Sequence, residues 1–384
     1  MSTKPAAPRL RLLHLHSSFS PGGKELRAAK LMNAFGAGID HTIVSAVPGE
    51  LGAASAVDPA ISVHYPDDFP ALTGRPWPRR LMGIAQAMRG FDLVLTYNWG
   101  AMDAVMAHTL FAEALNLPPL VHHEDGFNQD EAERLKPARN LFRRIALFRA
   151  QALVVPSQRL EHIARTVWQQ PAAKVRRVPN GIPVAAYAHR PEPDVLPRLI
   201  KHPGEYWLGT LAGLRKVKNL PRLVRAFAAL PEEWQLVIVG EGPERDAIRA
   251  EAVALNIGHR VHLPGFAPDP AKVVGLFDLF ALSSDSEQFP ISVVEAMAAG
   301  LAVVAPQVGD VAAMVAEPNR RFLTPIGDDA ALSDALANLA ADAQTRVAIG
   351  AANRAKAEAE YDEATMVAAY ARIYAGAMGR VKFP

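Results

Sequence analysis

The stretch Glu287-Gln288-Phe289-Pro290-Ile291-Ser292-Val293-Val294-Glu295 runs into Ala296-Met297-Ala298-Ala299-Gly300 and then the apolar run Leu301-Ala302-Val303-Val304-Ala305. With the apolar segment Asp278–Ser283 before it, the passage reads as strand, loop, helix and strand. Two glutamates, eight positions apart, bracket the start of the helix. Carboxylates accept hydrogen bonds from vicinal hydroxyls, and a helix N-terminus attracts phosphate. The passage therefore points to a ligand that carries both hydroxyls and phosphate.

The same alternation extends outward to both ends. Leu10–His16, His41–Val47, Asp92–Tyr97, Pro119–His123 and Ala152–Pro156 read as buried strands. Helical patterns lie among them at Lys24–Ala37, Trp77–Arg89, Ala101–Leu115, Glu131–Arg149 and Gln158–Trp168. Pro179, Pro183, Pro191, Pro193, Pro197 and Pro203 then crowd one segment, which reads as an interdomain linker because proline resists helix and central strand alike. Beyond it come strands at Tyr206–Ala212, Gln235–Gly240, Arg260–Pro264, Asp278–Ser283 and Ala302–Pro306. Helices are expected near Asn219–Leu230, Pro243–Asn256, Ile291–Ala299, Ala330–Ala341 and Glu363–Met378. The fold class is α/β: two doubly wound, Rossmann-like domains, residues 1–185 and 200–362, facing each other across a cleft at the carboxyl ends of their sheets. A single elongated α/β domain with a Pro-rich loop is the alternative.

Composition agrees with this and excludes other classes. The chain has 384 residues, enough for two cores, with half of them hydrophobic and 21% charged. A net charge of +2 argues against an electrostatic nucleic-acid binder. With no cysteine there are no disulfides, thiolate metal sites or cysteine nucleophile. Met1–Pro8 lacks the apolar stretch of a secretion signal, and no segment is long enough to span a bilayer, so a cytoplasmic location is expected.

Further candidates fall at strand ends. Pro21-Gly22-Gly23 follows the first strand; Gly22 and Gly23 would let backbone approach a phosphate, or form an ordinary tight turn, and no G-x-G-x-x-G dinucleotide fingerprint is present. Gly213-Leu214-Arg215-Lys216-Val217-Lys218-Asn219 places three cations where a diphosphate leaving group would gain charge, or forms a solvated basic loop with Asn219 as an N-cap. Val121-His122-His123-Glu124-Asp125-Gly126-Phe127 suggests a site orienting a sugar and an acceptor hydroxyl. Neighbouring side chains on a strand point to opposite faces, so one metal cannot easily take both histidines, and no metal is expected. Val239-Gly240-Glu241-Gly242-Pro243 and Leu263-Pro264-Gly265-Phe266 offer backbone groups and the Phe266 ring for a flat base, or are structural turns. Lys136, Arg139, Arg143, Arg144 and Arg149, with Leu141, Phe142, Ile145, Leu147 and Phe148, make a basic amphipathic segment suited to an anionic membrane surface, or a packed helix with a solvated basic face.

Taken together, these motifs resemble the signature of retaining glycosyltransferase family 4, which has the GT-B fold. The resemblance rests on Glu287–Glu295 with Ala296–Gly300, on Pro21-Gly22-Gly23, on Val178-Pro179-Asn180-Gly181-Ile182, on Leu214–Asn219 and on Val239–Pro243. It implies that the last helix, in residues 363–384, crosses back to the first domain. It also implies that Glu295 holds ribose hydroxyls, Glu287 holds donor-sugar hydroxyls, Lys218 contacts the diphosphate, and Gly22 and Gly23 close over it. Three places depart from the family pattern. Gly213 stands where an arginine is usual, with Arg215 or Lys216 as its substitute. Gln288-Phe289-Pro290 replaces Gly-Phe-Gly, leaving the amides of Ile291 and Ser292. Asp125 occupies the place of a histidine whose role falls to Asp125, to His123 or to neither.

The function implied is retaining transfer of a sugar from a nucleoside-diphosphate sugar, with uridine diphosphate the first expectation, to an acceptor hydroxyl on a glycan or lipid. No cofactor is expected. Peripheral membrane contact is expected through the Glu131–Arg149 helix. The rival readings are a nucleotide-sugar epimerase or hydrolase on the same scaffold, and a binding protein that has lost catalysis.

Overall fold

A computed structural model describes residues 9–127, 131 and 135–384; Met1–Pro8 lies outside the described residues. The chain divides into two compact units, Met1–Val178 with Met366–Pro384, and Pro179–Thr365. Unit 1 carries seven parallel strands: β1 (Leu10–His16), β2 (Ile39–Ser45), β3 (Ser62–His64), β4 (Leu93–Tyr97), β5 (Leu120–His123), β6 (Ala152–Val155) and β7 (Val175–Arg177). Their order is β3-β2-β1-β4-β5-β6-β7. Unit 2 carries six: β8 (Tyr206–Leu211), β9 (Trp234–Val239), β10 (Val261–Gly265), β11 (Leu279–Ala281), β12 (Val303–Pro306) and β13 (Leu323–Thr324), parallel in the order β10-β9-β8-β11-β12-β13.

A parallel sheet is covered on both faces, so its strands are apolar almost throughout. β4, Leu93-Val94-Leu95-Thr96-Tyr97, is buried at every position. Alternate residues feed opposite cores, as strand geometry demands. Leu13, Val94, Leu120 and Leu153 join one cluster in unit 1, and Leu12, Leu93, Leu95, Val121 and Val154 the other. Unit 2 repeats this, with Trp207, Val237 and Phe280 on one side and Leu208, Leu236, Ile238 and Leu279 on the other.

Several details differ from the sequence reading. β3, β7 and β13 are edge or two-residue strands without an apolar run, and β7 exposes two arginines. Helices Val311–Met314 and Ala343–Glu360 are additional. The Pro-rich segment is not a loose spacer. Ile182, Val184, Tyr187 and Leu196 are buried in the unit 2 core, and Ile182 pairs with Asp362. The last helix, Glu363–Ala377, sends Met366, Tyr370 and Tyr374 into the core of unit 1, as the resemblance implied.

Candidate active site

In each sheet the chain reverses its direction of winding once, between β1 and β4 in unit 1 and between β8 and β11 in unit 2. Ligands of doubly wound sheets bind outside the carboxyl ends of the strands at such points. Most sequence candidates are carried by loops leaving these strands.

In unit 2, the loop after β8 carries Gly213, Arg215 and Lys218, and the loop after β11 carries Glu287, Phe289 and Pro290. The Lys218 ammonium lies 2.5 Å from Glu287 Oε1, which also accepts the Ser284 hydroxyl at 2.8 Å. The two loops are stitched along their length. Ser283 Oγ donates to the Lys218 carbonyl at 2.9 Å, and the Asp285 amide to the Val217 carbonyl at 2.9 Å. Asp285 also accepts Asn219 Nδ2 at 3.2 Å and an Arg222 guanidinium nitrogen at 2.6 Å. Asn219 stands at the N-cap position of helix Leu220–Phe227 but spends its side chain on Asp285 instead of on a cap.

Two close approaches fix this geometry. Gly309 has φ +54°, and a side chain there would strike the Glu287 and Gln288 carbonyls. Gly240 and Gly242 lie against the Ala212 and Leu214 carbonyls, and the Leu214 amide donates to the Glu241 carbonyl at 2.8 Å. The Gly240–Pro243 turn thus buttresses the basic loop, and the Glu241 carbonyl is already engaged. At Gly213, an ideal Cβ would lie 3.3 Å from Arg215 Nε. The Arg215 guanidinium folds back over the position that lacks a side chain.

Helix Ile291–Ala298 starts just after Pro290, so the amides of Ile291 and Ser292 fall in its first turn, where no carbonyl within the helix can accept them. Glu295 lies in this helix, and its Oε1 accepts the Tyr187 hydroxyl at 3.2 Å. Burial first, and then the Glu295 carboxylate, push the Tyr187 hydroxyl well above its ordinary pKa, so it remains a donor. Nothing in the sequence singled out Tyr187; it lies in the Pro-rich segment, just after the Val178–Ile182 motif. Ser284 was legible only as one of two serines after a strand. Phe289, one of the expected donor-binding residues, has its ring buried against Tyr361, which leaves its backbone as the part facing the loop. Gly265 and Phe266 end the edge strand β10, two places from β8, with the Phe266 ring exposed.

In unit 1, Gly22 precedes helix Gly23–Phe35 with φ −163°, an extended conformation open to any residue. Its glycine serves space instead, since a side chain would press on Glu25 Oε2 at 2.8 Å. Glu25 pairs with Lys24. Arg27, one turn into the helix, grips Asp125 with two bonds of 2.5 and 2.8 Å. The Asp125 amide donates to Asn98 Oδ1 at 2.8 Å. Burial works against charge on Asp125, but Arg27 outweighs it and holds the carboxyl below its usual range. Burial likewise lowers Lys24, with Asp125 opposing. The sequence reading named Asp125 but missed Lys24 and Arg27, whose three-residue spacing after a Gly-Gly pair was the available signal.

His123 departs from its candidate catalytic role. It is buried, with Nδ1 bonded to the Thr96 carbonyl at 3.1 Å and Nε2 to the Tyr374 hydroxyl at 3.0 Å. Burial first, and then Arg27, lower its pKa to about 3. Both nitrogens are committed inside the unit, so the ring has none left for a substrate. His122 faces the other way, with Nδ1 2.8 Å from Thr96 Oγ1. Among the described residues no group of three or more His, Asp or Glu side chains is placed to hold a metal ion.

The basic segment also differs from its expectation. Residues 132–134 lie outside the described residues; the helix described is Pro137–Ala146, continued by a 3-10 turn to Arg149. Arg143 is wholly buried, bonded to Glu124 and Glu131 and packed among Trp99, Phe127 and Trp168. Arg139 also pairs with Glu131, and Arg149 with Glu113. The outward face consists of Leu141, Arg144, Ile145 and Phe148. No helix among the described residues is long and apolar enough to cross a membrane.

Two family models match, described as Glycosyltransferase Family 4 over residues 21–186 and Glycosyl transferases group 1 over residues 197–356. An N-acetyl-alpha-D-glucosaminyl L-malate synthase of Bacillus anthracis is 28% identical over 43% of this chain and 44% of its own length. A phosphatidyl-myo-inositol mannosyltransferase of Mycobacterium leprae is 31% identical over 54% of this chain and 55% of its own. The chain thus spans about half the length of these curated relatives. The crystal structure of Anabaena HepE in complex with UDP superposes with a TM-score of 0.75 over 96% of this chain and 100% of that one, at 21% identity, which speaks for the fold alone. Two doubly wound units and two matched models lead to one assignment: the chain belongs to glycosyltransferase family 4 and has the GT-B fold.

Proposed function

We propose that this chain is a retaining glycosyltransferase, drawing a sugar from a nucleoside-diphosphate sugar and delivering it to an acceptor hydroxyl. The observation that carries this reading is the Lys218–Glu287–Ser284 cluster at the reversal point of the second sheet. It sets an ammonium and a hydroxyl-binding carboxylate side by side, next to the first turn of helix Ile291–Ala298.

On donor arrival Lys218 exchanges Glu287 for the diphosphate, and Glu287 turns to sugar hydroxyls. The side chains are 22% and 12% exposed, and the donor's diphosphate and hydroxyls replace the contacts that each gives up. Arg215, folded over Gly213, and the amides of Ile291 and Ser292 add positive potential to the same diphosphate. Glu295, steadied by Tyr187, takes ribose hydroxyls. The bond from the anomeric carbon to the diphosphate oxygen then breaks, and the acceptor oxygen bonds on the same face. The acceptor proton passes to the departing phosphate. The roles of Lys218 and its neighbours are electrostatic stabilisation of the leaving group, and none of these steps calls for a metal or cofactor. Asp125, locked to Arg27, positions groups on the acceptor side and is not the proton acceptor.

Uridine diphosphate is the favoured donor base, in keeping with the UDP held by the structurally similar HepE. The acceptor is a glycan or lipid; the mycobacterial relative is named for a lipid acceptor. The exposed Leu141, Arg144, Ile145 and Phe148 favour peripheral contact with an anionic membrane. Liposome co-sedimentation should fall on Phe148→Ser with Arg144→Glu. Arg143 is unsuited to this test because it is buried.

The primary experiment is thermal unfolding with UDP, GDP and ADP, followed by donor turnover. UDP should raise the midpoint, because a ligand of the native state stabilises it. No shift with any nucleoside diphosphate would refute the reading.

A further inference from the structure

We infer that unit 1 carries a second site, for an anionic amphiphile, in the groove between the edge strand β7 and the last helix. The groove has a volume of about 490 Å³. Its floor is apolar, made by Ala152, Val178, Ala369, Ile373 and Ala377, and its rim carries Arg176, Arg177 and Arg372. No acidic residue lines it.

The charges on the rim are poorly compensated. Arg177 reaches Glu161 at 3.2 Å. Arg176 and Arg372 have no acidic partner among the described residues; each bonds a backbone carbonyl of its own segment, Val175 at 3.4 Å and Ala368 at 3.3 Å. Basic side chains on an edge strand commonly serve to prevent strand pairing between molecules. That account covers Arg176 and Arg177, but not Arg372, which comes from the helix and converges on the same groove. Nor does it explain an apolar floor, partly exposed at Ala369, Ile373 and Ala377, beneath three cations.

The chemistry that fits is a phosphate or diphosphate head on a hydrocarbon chain. Guanidinium groups match phosphate oxygens with paired, charge-assisted bonds, and the floor removes part of the chain from water. Neither a free phosphate nor a neutral amphiphile satisfies both halves. The inference stands apart from the sugar-transfer reading, since none of these residues belongs to the Lys218–Glu287 cluster.

Calorimetric titration of the full chain tests it with three probes: decyl phosphate below its micellar concentration, inorganic phosphate, and decyl maltoside. Decyl phosphate should bind at least about ten-fold tighter than either other probe. The exposed double variant Arg176→Gln with Arg372→Gln should weaken it by at least about ten-fold, since each removes a bond to a charged group. Absence of binding, equal binding of inorganic phosphate or decyl maltoside, or an unchanged affinity in the folded double variant would overturn the proposal.

Discussion

Each unit holds an ion pair at the carboxyl edge of its sheet, and the two differ in what surrounds the cation. In unit 2 the Lys218–Glu287 pair keeps side-chain exposures of 22% and 12%, against 6% and 14% for Arg27 and Asp125 in unit 1, and sits on loops held by backbone bonds. In unit 1 the Arg27–Asp125 pair joins the helix after β1 to the loop after β5 and rests on a buried polar core. Arg27 lies 5.6 Å over the Tyr370 ring; behind it His123, Tyr97, His14 and His41 follow one another through stacked rings and hydrogen bonds. His16 stacks on Tyr97 at 4.0 Å, with neither ring nitrogen bonded among the described residues. The two carboxylates are about equally exposed, and the difference lies in the cation: stranding a charge beside a buried guanidinium costs more stability than releasing a partly exposed ammonium to a ligand. Unit 2 therefore has the geometry of a place where groups change partners, and unit 1 that of a fixed frame.

Four measurements would break or sharpen this contrast. The largest effect is expected for Arg27→Met, which strands the Asp125 carboxylate; urea unfolding should show a loss of about 3–5 kcal/mol. A loss under 1 kcal/mol would make the two pairs equivalent. Next, Lys218→Ala should cut donor turnover about 10²–10³-fold while the melting temperature stays nearly constant. Near-normal turnover would remove Lys218 from the mechanism.

Acid comes third. Burial lowers His41 to about 4, and burial with Arg27 lowers His123 to about 3. Both fold neutral, while the unfolded chain binds their protons near pH 6.5. Their stabilisation is complete above that pH and fades as the pH drops toward 4 and then 3. The slope approaches about 1.4 kcal/mol per histidine per pH unit. Thermal unfolding between pH 7.5 and 5 should show unit 1 weakening first, and a flat profile would contradict the burial of these rings. The smallest effect belongs to Tyr187→Phe, which frees Glu295 from one bond worth about 1 kcal/mol. Donor KM should rise a few-fold with kcat and stability nearly unchanged; a large drop in melting temperature instead would make Tyr187 a purely structural residue.

Legibility followed the range of the interaction. The alternation of apolar runs located most strands within a few residues because a two-sided parallel sheet writes its burial directly into sequence. β3 and β7 escaped because edge strands show water their side chains. Lys218 and Glu287 were recognisable from motif and spacing, yet their mutual contact was not, being 69 residues apart in sequence. His123 looked catalytic beside Asp125, but the last helix covers it, with Tyr374 bonding its Nε2 from 251 residues away. Arg143 looked like a surface cation until Glu124 and Glu131 took it inside.

By itself, the sequence determined the two α/β units, the family and the loops on which the chemistry is carried, because periodicity and short motifs are local properties. Only the tertiary structure decided which charges are paired, which rings are buried and which groups stay open to a ligand. Those outcomes depend on desolvation and on partners brought together from distant parts of the chain, and no local pattern encodes them.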